Sequence, residues 1–165
     1  VFQSAWSRAE NLKSGFRSSE FSEIIYNCPD PEIFYPKERQ EKFPGTRRVR
    51  LAASSWSGNN NKGFDIYRFL DGALDFSKYE MTFVGNYGGS FSNIRHLDPM
   101  GSLELGDFLR SQDVYVLASR TEACSNSLLE AVHCGLPVIA RDSSSNPEVL
   151  GDSWLKRIPL DVKRP

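Results

Sequence analysis

The sequence has little with which to build a metal centre or a disulfide scaffold. Its three cysteines, Cys28, Cys124 and Cys134, are an odd set without a C-x-x-C pair, and only two histidines, His96 and His133, accompany them. No Cys/His cluster has ligand spacing and no Asp-x-Asp pair occurs, so no metal site is expected. Unpaired cysteines fit a reducing compartment. An excess of either charge is also missing. Twenty Lys+Arg against 21 Asp+Glu leave a formal net charge of −1, which removes the electrostatic case for binding nucleic acid or an anionic membrane. The longest apolar run, residues 114–118, is far short of the ~20 residues a membrane span needs. Neither G-x-x-x-x-G-K-[ST] nor G-x-G-x-x-G is present, which argues against a P-loop or an ordinary dinucleotide site. There is no G-x-S-x-G elbow, and two histidines leave hydrolase triads few bases. Internal repeats and low-complexity tracts are absent. A starting Met and a charged-then-apolar leader are missing too, so the chain reads as part of a longer one.

What is present describes one globular domain. With 165 residues, 39% hydrophobic and 25% charged, the chain is long enough for a single core and too apolar for disorder. Phe2, Ala5, Trp6, Ala9, Leu12 and Phe16 fall at helical steps, predicting an amphipathic helix stopped near Gly15. Residues 23–26 read as a short strand running into a Pro29/Pro31 turn, and residues 36–47 as a charged, exposed connection. From residue 48 the pattern is regular. Strands are expected at 49–53, 81–84, 114–117 and 137–140. Helices are expected at 62–74 (buried face Ile66, Phe69, Leu70, Ala73 and Leu74), 103–109, 125–134 and from 146. Gly135 stands where a left-handed C-cap belongs. Short, wholly apolar strands alternating with helices imply a doubly wound α/β domain with a Rossmann-like parallel sheet. Its ligands would lie beyond the carboxyl ends of the strands, at the loops after Ala53, Val84, Leu117 and Ala140.

One segment concentrates the chemistry. Glu122 lies in the loop after the 114–117 strand, and Glu130 follows eight positions later within the next helix. Between them Ser125, Asn126 and Ser127 open that helix with capping side chains. A helix start with small polar residues can receive a phosphate or diphosphate on its free N–H groups. Glu130 would repel that anion and suits neutral hydroxyls such as those of a ribose. The loop after the first strand, residues 54–63, is polar and carries Lys62, a counter-charge for an anionic ligand. Taken by themselves, Glu130 also reads as a solvated helix-face residue, Ser125–Ser127 as a cap, and Lys62 as a surface lysine.

The E-x7-E spacing of Glu122 and Glu130, continued as Glu-Ala-Val-His-Cys-Gly-Leu-Pro-Val-Ile-Ala, strongly resembles the carboxy-terminal, nucleotide-sugar-binding half of GT-B glycosyltransferases, in particular the large retaining group classed as family four. Other pieces resemble the family in the same order: Ile25 to Asp30 with Phe34 and Pro36, Lys62-Gly63, Phe83-Val84-Gly85, Asp113 to Val116 with Ser119, and Pro147-Glu148. The resemblance spans about residues 22–150, preceded by a helix and linker over 1–21 and followed by an incomplete tail over 151–165.

The resemblance implies a retaining, metal-independent glycosyltransferase with no cofactor beyond its nucleotide-diphosphate sugar donor. Glu130 would hold the ribose, and backbone at Ser125, Asn126 and Ser127 would meet the diphosphate or donor sugar. Lys62 would neutralise the leaving diphosphate, and Glu122 would contact the donor sugar near the reacting carbon. Ser57 and Gly58 would belong to the donor loop, and backbone near Arg95 and His96 would read the base. His133 and Cys134 would pack the helix. Ser57 stands where the family often carries an Arg, and Arg50 or Arg120 could substitute for it. The implied partner is an N-terminal GT-B domain of the same chain that holds the acceptor, so the isolated chain should transfer no sugar. The implied location is cytoplasmic, peripheral at a membrane if that other domain attaches there. Two further readings stay open: a non-catalytic nucleotide-sugar-binding module, and another GT-B chemistry such as epimerisation or phosphorolysis.

Overall fold

A computed structural model describes residues 1–37 and 47–151. Its strands are β1 (Val49–Ser55), β2 (Tyr79–Gly85), β3 (Arg95–Leu97), β4 (Val114–Leu117) and β5 (Val138–Ala140). Its helices are α1 (Ala5–Lys13), α2 (Phe64–Ala73), α3 (Ser102–Arg110), α4 (Asn126–His133) and α5 (Asn146–Leu150), with a 3-10 turn at Asn60–Lys62. The five strands form one all-parallel sheet in the order β3-β2-β1-β4-β5. The chain steps outward from β1 to β3 and then returns to the other side of β1 for β4. That reversal opens a crevice at the carboxyl ends of β1 and β4.

Alternation along the strands puts a core on each face. Ala52, Tyr115 and Leu117 pack with Leu109, Leu128 and Ala131 from α3 and α4. Leu51, Ala53, Met81, Phe83 and Val116 pack on the other face with Phe64 and Tyr67 from α2. Burying a leucine as completely as Leu109 or Leu128 is worth ~1.5–3 kcal/mol. Apolar residues at successive positions are therefore required where both faces are covered.

Several expectations need correction. The apolar stripe of the first helix does not face a core: Ala5, Ala9, Leu12 and Phe16 are exposed, whereas Ser4, Ser7 and Phe2 are buried. α1 is docked by polar capping, so its apolar spacing misleads. The strand expected over 23–26 shrinks to one parallel bridge between Ile24 and Phe2, with Ile25 and Tyr26 exposed. Lys62 is not helical; it closes the 3-10 turn, and α2 begins at Phe64. The buried face of α2 is Phe64 and Tyr67, whose rings meet Phe83 at 5.7 and 5.2 Å, while Phe69 is exposed. β5 is an edge strand with Ile139 exposed rather than a buried one. β3 was not anticipated. The charged connection lies largely, and the tail beyond Gly151 wholly, outside the described residues. Gly135 takes φ +72°, the left-handed C-cap expected of it.

The N-terminal segment is fastened by one carboxylate. Glu148 of α5 accepts from the N–H groups of Ala5 (2.7 Å) and Trp6 (3.0 Å) at the start of α1, and from the Tyr26 hydroxyl (2.5 Å). Burial raises its pKa, but the Tyr26 hydroxyl and the two N–H groups outweigh that and hold it below the ordinary value. The stabilisation is therefore present above the unfolded carboxyl pKa of about 4.3 and lost as pH falls through the lower folded value. Glu148→Gln should loosen α1 at pH 7 by about 1–2 kcal/mol, read as faster hydrogen exchange at the Ala5 and Trp6 amides with the sheet unaffected. Unchanged exchange would show that α1 is held by something else.

Candidate functional site

Beyond the carboxyl ends of β1, β2 and β4 lies a cleft of about 470 Å³, within the size range of small-molecule sites. It is lined by Ser55 at the end of β1, by Ser57 and Lys62 from the loop after it, and by Glu122, Ser125 and Glu130. Val84, Pro99, Met100 and Leu105 add apolar lining. Gln3 and Asn27 of the N-terminal segment line it as well.

Lys62 and Glu122, 60 positions apart, meet here. Lys62 Nζ lies 2.7 Å from Glu122 Oε1. The Glu122 side chain is only 11% exposed, so this is a partly desolvated pair rather than a surface one. Gly63 explains how the lysine arrives. A Cβ at Gly63 would lie 2.1 Å from the Ala118 carbonyl oxygen, and φ is +72°. Only glycine lets the loop after β1 press against the end of β4, which sets Lys62 over the Glu122 loop. The loops are further tied by the Arg120 N–H donating to the Asn61 carbonyl at 2.7 Å.

α4 presents its amino end to the same cleft. Its first intrahelical bond runs from Leu129 N to Ser125 O, and the Leu128 N–H goes to Ser125 Oγ at 3.4 Å. The N–H groups of Asn126 and Ser127 therefore have no intrahelical acceptor. Glu130, one turn on, is half-buried, and no donor among the described residues reaches its carboxylate. Burial pushes its pKa up with nothing to offset it. Its charge and a hydrogen bond from Ser127 both act on the buried Tyr115 hydroxyl, which also lies 2.9 Å from Ser54 Oγ.

Of the residues singled out in the sequence, Ser57, Lys62, Glu122, Ser125, Asn126, Ser127 and Glu130 line the cleft together. Gly58, Arg95 and His96 do not. His96 Nε2 donates to the Gly85 carbonyl at 2.8 Å, and its ring packs on Phe83, Tyr87 and Phe91. Arg95 is exposed on β3. Ser57 Oγ accepts from the Asn59 N–H at 3.2 Å. Neither arginine replaces the one missing at Ser57. Arg50 sits at the amino end of β1, opposite the cleft, where it pairs with Glu80. Arg120 turns away to Asp65 at 2.7 Å. Among the described residues Lys62 is the one cation lining the cleft. Gln3, Asn27, Trp56, Pro99 and Met100 were missed. Asn27 could have been found, since it lies two residues before Pro29 within the Ile25-to-Asp30 motif already noted, but Trp56 and Met100 carry no periodic signal. No group of three or more His, Cys, Asp or Glu among the described residues could hold a metal ion, and none of the described helices is long and apolar enough to cross a membrane.

Comparison with known proteins adds context. Residues 75–158 match the family model described as Glycosyl transferases group 1. The chain is similar to the crystal structure of the C-terminal domain of a glycosyl transferase group 1 family protein (LpcC) from Francisella tularensis, with TM-score 0.52, 20% identity and 75% of each chain covered. It is also similar to a UDP-GlcNAc 2-epimerase from Neisseria meningitidis bound to UDP-GlcNAc, with TM-score 0.41 and 16% identity over 63% of this chain and 30% of that one. A comparison with curated proteins finds no match. The first likeness is one of fold: the five-stranded parallel sheet and its helices have the Rossmann-like architecture of the C-terminal half of GT-B enzymes.

Proposed function

The chain belongs to the glycosyl transferases group 1 family, and from that premise we propose that it binds a nucleotide-diphosphate sugar and transfers the sugar, with retention, to an acceptor held by an N-terminal GT-B domain. The observation that carries this reading is the meeting of Lys62, Glu122, Glu130 and the open start of α4 in one cleft. Each part suits one part of such a donor. The diphosphate is served by Lys62 Nζ and the Asn126 and Ser127 N–H groups. The ribose has neighbouring hydroxyls that can donate to the unpaired Glu130 carboxylate. Glu122 is left for hydroxyls of the donor sugar. The apolar lining at Val84, Pro99 and Met100 suits the flat face of a base.

During transfer the bond from the sugar's anomeric carbon to the diphosphate breaks, the acceptor hydroxyl oxygen bonds to that carbon on the same face, and the hydroxyl proton passes to the departing diphosphate oxygen. Negative charge grows on the leaving oxygen, where Lys62 and the helix start stabilise it without a metal ion. Retention is supported by the E-x7-E resemblance. Two carboxylates against one lysine leave these three lining side chains at −1, so a bare diphosphate should bind weakly and the hydroxyl contacts should decide affinity. A cytoplasmic location fits cytoplasmic donors.

A screen of UDP-, GDP- and ADP-sugars with the full-length protein, with product detection and with or without EDTA, tests the proposal. Transfer from one donor class, unaffected by EDTA, is expected. Strict dependence on magnesium or manganese overturns the metal-free mechanism. The second reading, a binding module without catalysis, is favoured by Ser57 and by Lys62 being the one cation lining the cleft among the described residues; it predicts donor binding with no turnover in any combination.

A further inference from the structure

We infer that Ser144 and Ser145, in the loop between β5 and α5, are positioning residues that fix the Glu122 peptide and so aim its carboxylate into the cleft. The inference rests on the proposed contact of Glu122 with the donor sugar. Glu122 follows β4 in a loop with no regular structure, so neither helix nor sheet orders its backbone. The serines do so from across the sheet edge. The Glu122 N–H donates to Ser144 Oγ at 3.1 Å. Ser144 spends its own hydroxyl proton on the Ser143 carbonyl at 2.7 Å, which leaves the Oγ lone pair facing Glu122. The Glu122 carbonyl accepts twice from Ser145, from the N–H at 3.3 Å and from Oγ at 2.8 Å. Ser143 Oγ continues the seam by donating to the Arg120 carbonyl at 3.1 Å.

With both of its own backbone polar groups held and its carboxylate against Lys62, Glu122 has a fixed origin and a fixed end. The loop that does this is built against local preference. Ser144 takes φ +54°, the one non-glycine residue with positive φ among the described residues. Asn146, 1% exposed, donates to the Arg141 carbonyl while its Oδ1 is the one buried side-chain oxygen left without a partner among the described residues. A loop shaped for stability alone would place glycine at 144 and satisfy that oxygen. Conformational cost concentrated beside a cleft residue is the pattern expected where placement matters more than stability.

The test uses Ser144→Gly, Ser145→Ala and Glu122→Ala in the full-length protein. Three quantities are read: hydrogen exchange at the Glu122 amide, kcat and KM for diphosphate release from UDP-glucose, UDP-N-acetylglucosamine, GDP-mannose and ADP-glucose, and calorimetric affinity for UDP, GDP and ADP. Ser144→Gly relieves the φ cost, so its melting temperature should not fall. Its Glu122 amide should exchange about tenfold faster or more, and kcat should fall roughly tenfold or more, with diphosphate affinity within about twofold. Ser145→Ala should lower kcat in the same way. Wild-type kcat in both serine variants, beside an inactive Glu122→Ala, overturns the positioning role and leaves the role of Glu122 standing. Loss of kcat only in step with melting temperature and diphosphate affinity also overturns it, because the serines are then structural. A fully active Glu122→Ala, or no diphosphate release by wild type from any donor, removes the functional reading and this inference with it.

Discussion

At pH 7, Glu130→Gln is expected to raise the melting temperature and weaken nucleotide binding in the same protein. The carboxylate of Glu130 is half-buried, no donor among the described residues reaches it, and burial holds its pKa above the ordinary value. A carboxyl whose folded pKa exceeds its unfolded one opposes folding wherever it is charged. The opposition is absent below the unfolded pKa of about 4.3 and grows as pH rises through the folded value. An amide of the same shape carries no such penalty, so the fold gains. Binding moves the other way. Two ribose hydroxyls can donate to a carboxylate, and each charge-assisted bond is worth ~1.5–3 kcal/mol, roughly tenfold or more in affinity. For the same reason, wild-type affinity for a nucleoside diphosphate should fall on acidification as Glu130 takes up a proton, and the Gln variant should lose that dependence. Melting scans and titration calorimetry across pH 4.5–8 make the comparison. A less stable variant that binds as tightly as wild type would show Glu130 to be a packing residue.

The spacing of Glu122 and Glu130 led one to expect them in one cleft, where both lie, but that Glu130 has no donor among the described residues was not legible, since the pairing of a helix-face residue depends on what packs over it. The same division runs through the molecule. The strands at Leu51–Ala53 and Tyr115–Leu117, and that at Met81–Val84 with Thr82 its one polar residue, announce themselves because burial on both faces demands nearly continuous apolar residues. β3, with its exposed Arg95 and His96, offers no such run and exists because the backbone of β2 supplies partners for it. α1 was legible as a helix but not in its orientation. Of its apolar positions only Trp6 is half-buried and the others are exposed, and its amino end is held by Glu148, 143 positions from Ala5, which no local pattern reveals. Within the cleft the Lys-Gly pair could be read, and its reason could not: Gly63 is needed because Ala118 touches it. The bonds from Ser144 and Ser145 to the Glu122 backbone join residues more than 20 positions apart, so no local pattern reveals them.

The contact between Lys62 and Glu122 makes the second large effect unusual in sign. Glu122→Gln in the full-length protein should depress turnover by roughly a hundredfold or more, as expected when a group that orients the reacting sugar is lost. Read from spacing alone, the same change would leave diphosphate binding untouched. The ion pair at 2.7 Å argues otherwise, because in the free protein Glu122 neutralises the one cation lining the cleft among the described residues. A diphosphate must share Lys62 with a carboxylate that also repels it. Neutralising Glu122 frees the lysine and should tighten UDP, GDP or ADP binding severalfold, about 1 kcal/mol for a partly exposed pair. Lys62→Ala should do the reverse, losing diphosphate affinity and leaving Glu122, 11% exposed, without its counter-ion, so stability drops as well. Adding Glu122→Gln to Lys62→Ala should restore much of that stability but none of the turnover, and a double-mutant cycle on the melting free energy isolates the pair. If Glu122→Gln weakens diphosphate binding instead, the lysine is not held back by the pair. Glu122 then contributes to the diphosphate site directly, and the division of roles between the two glutamates has to be redrawn.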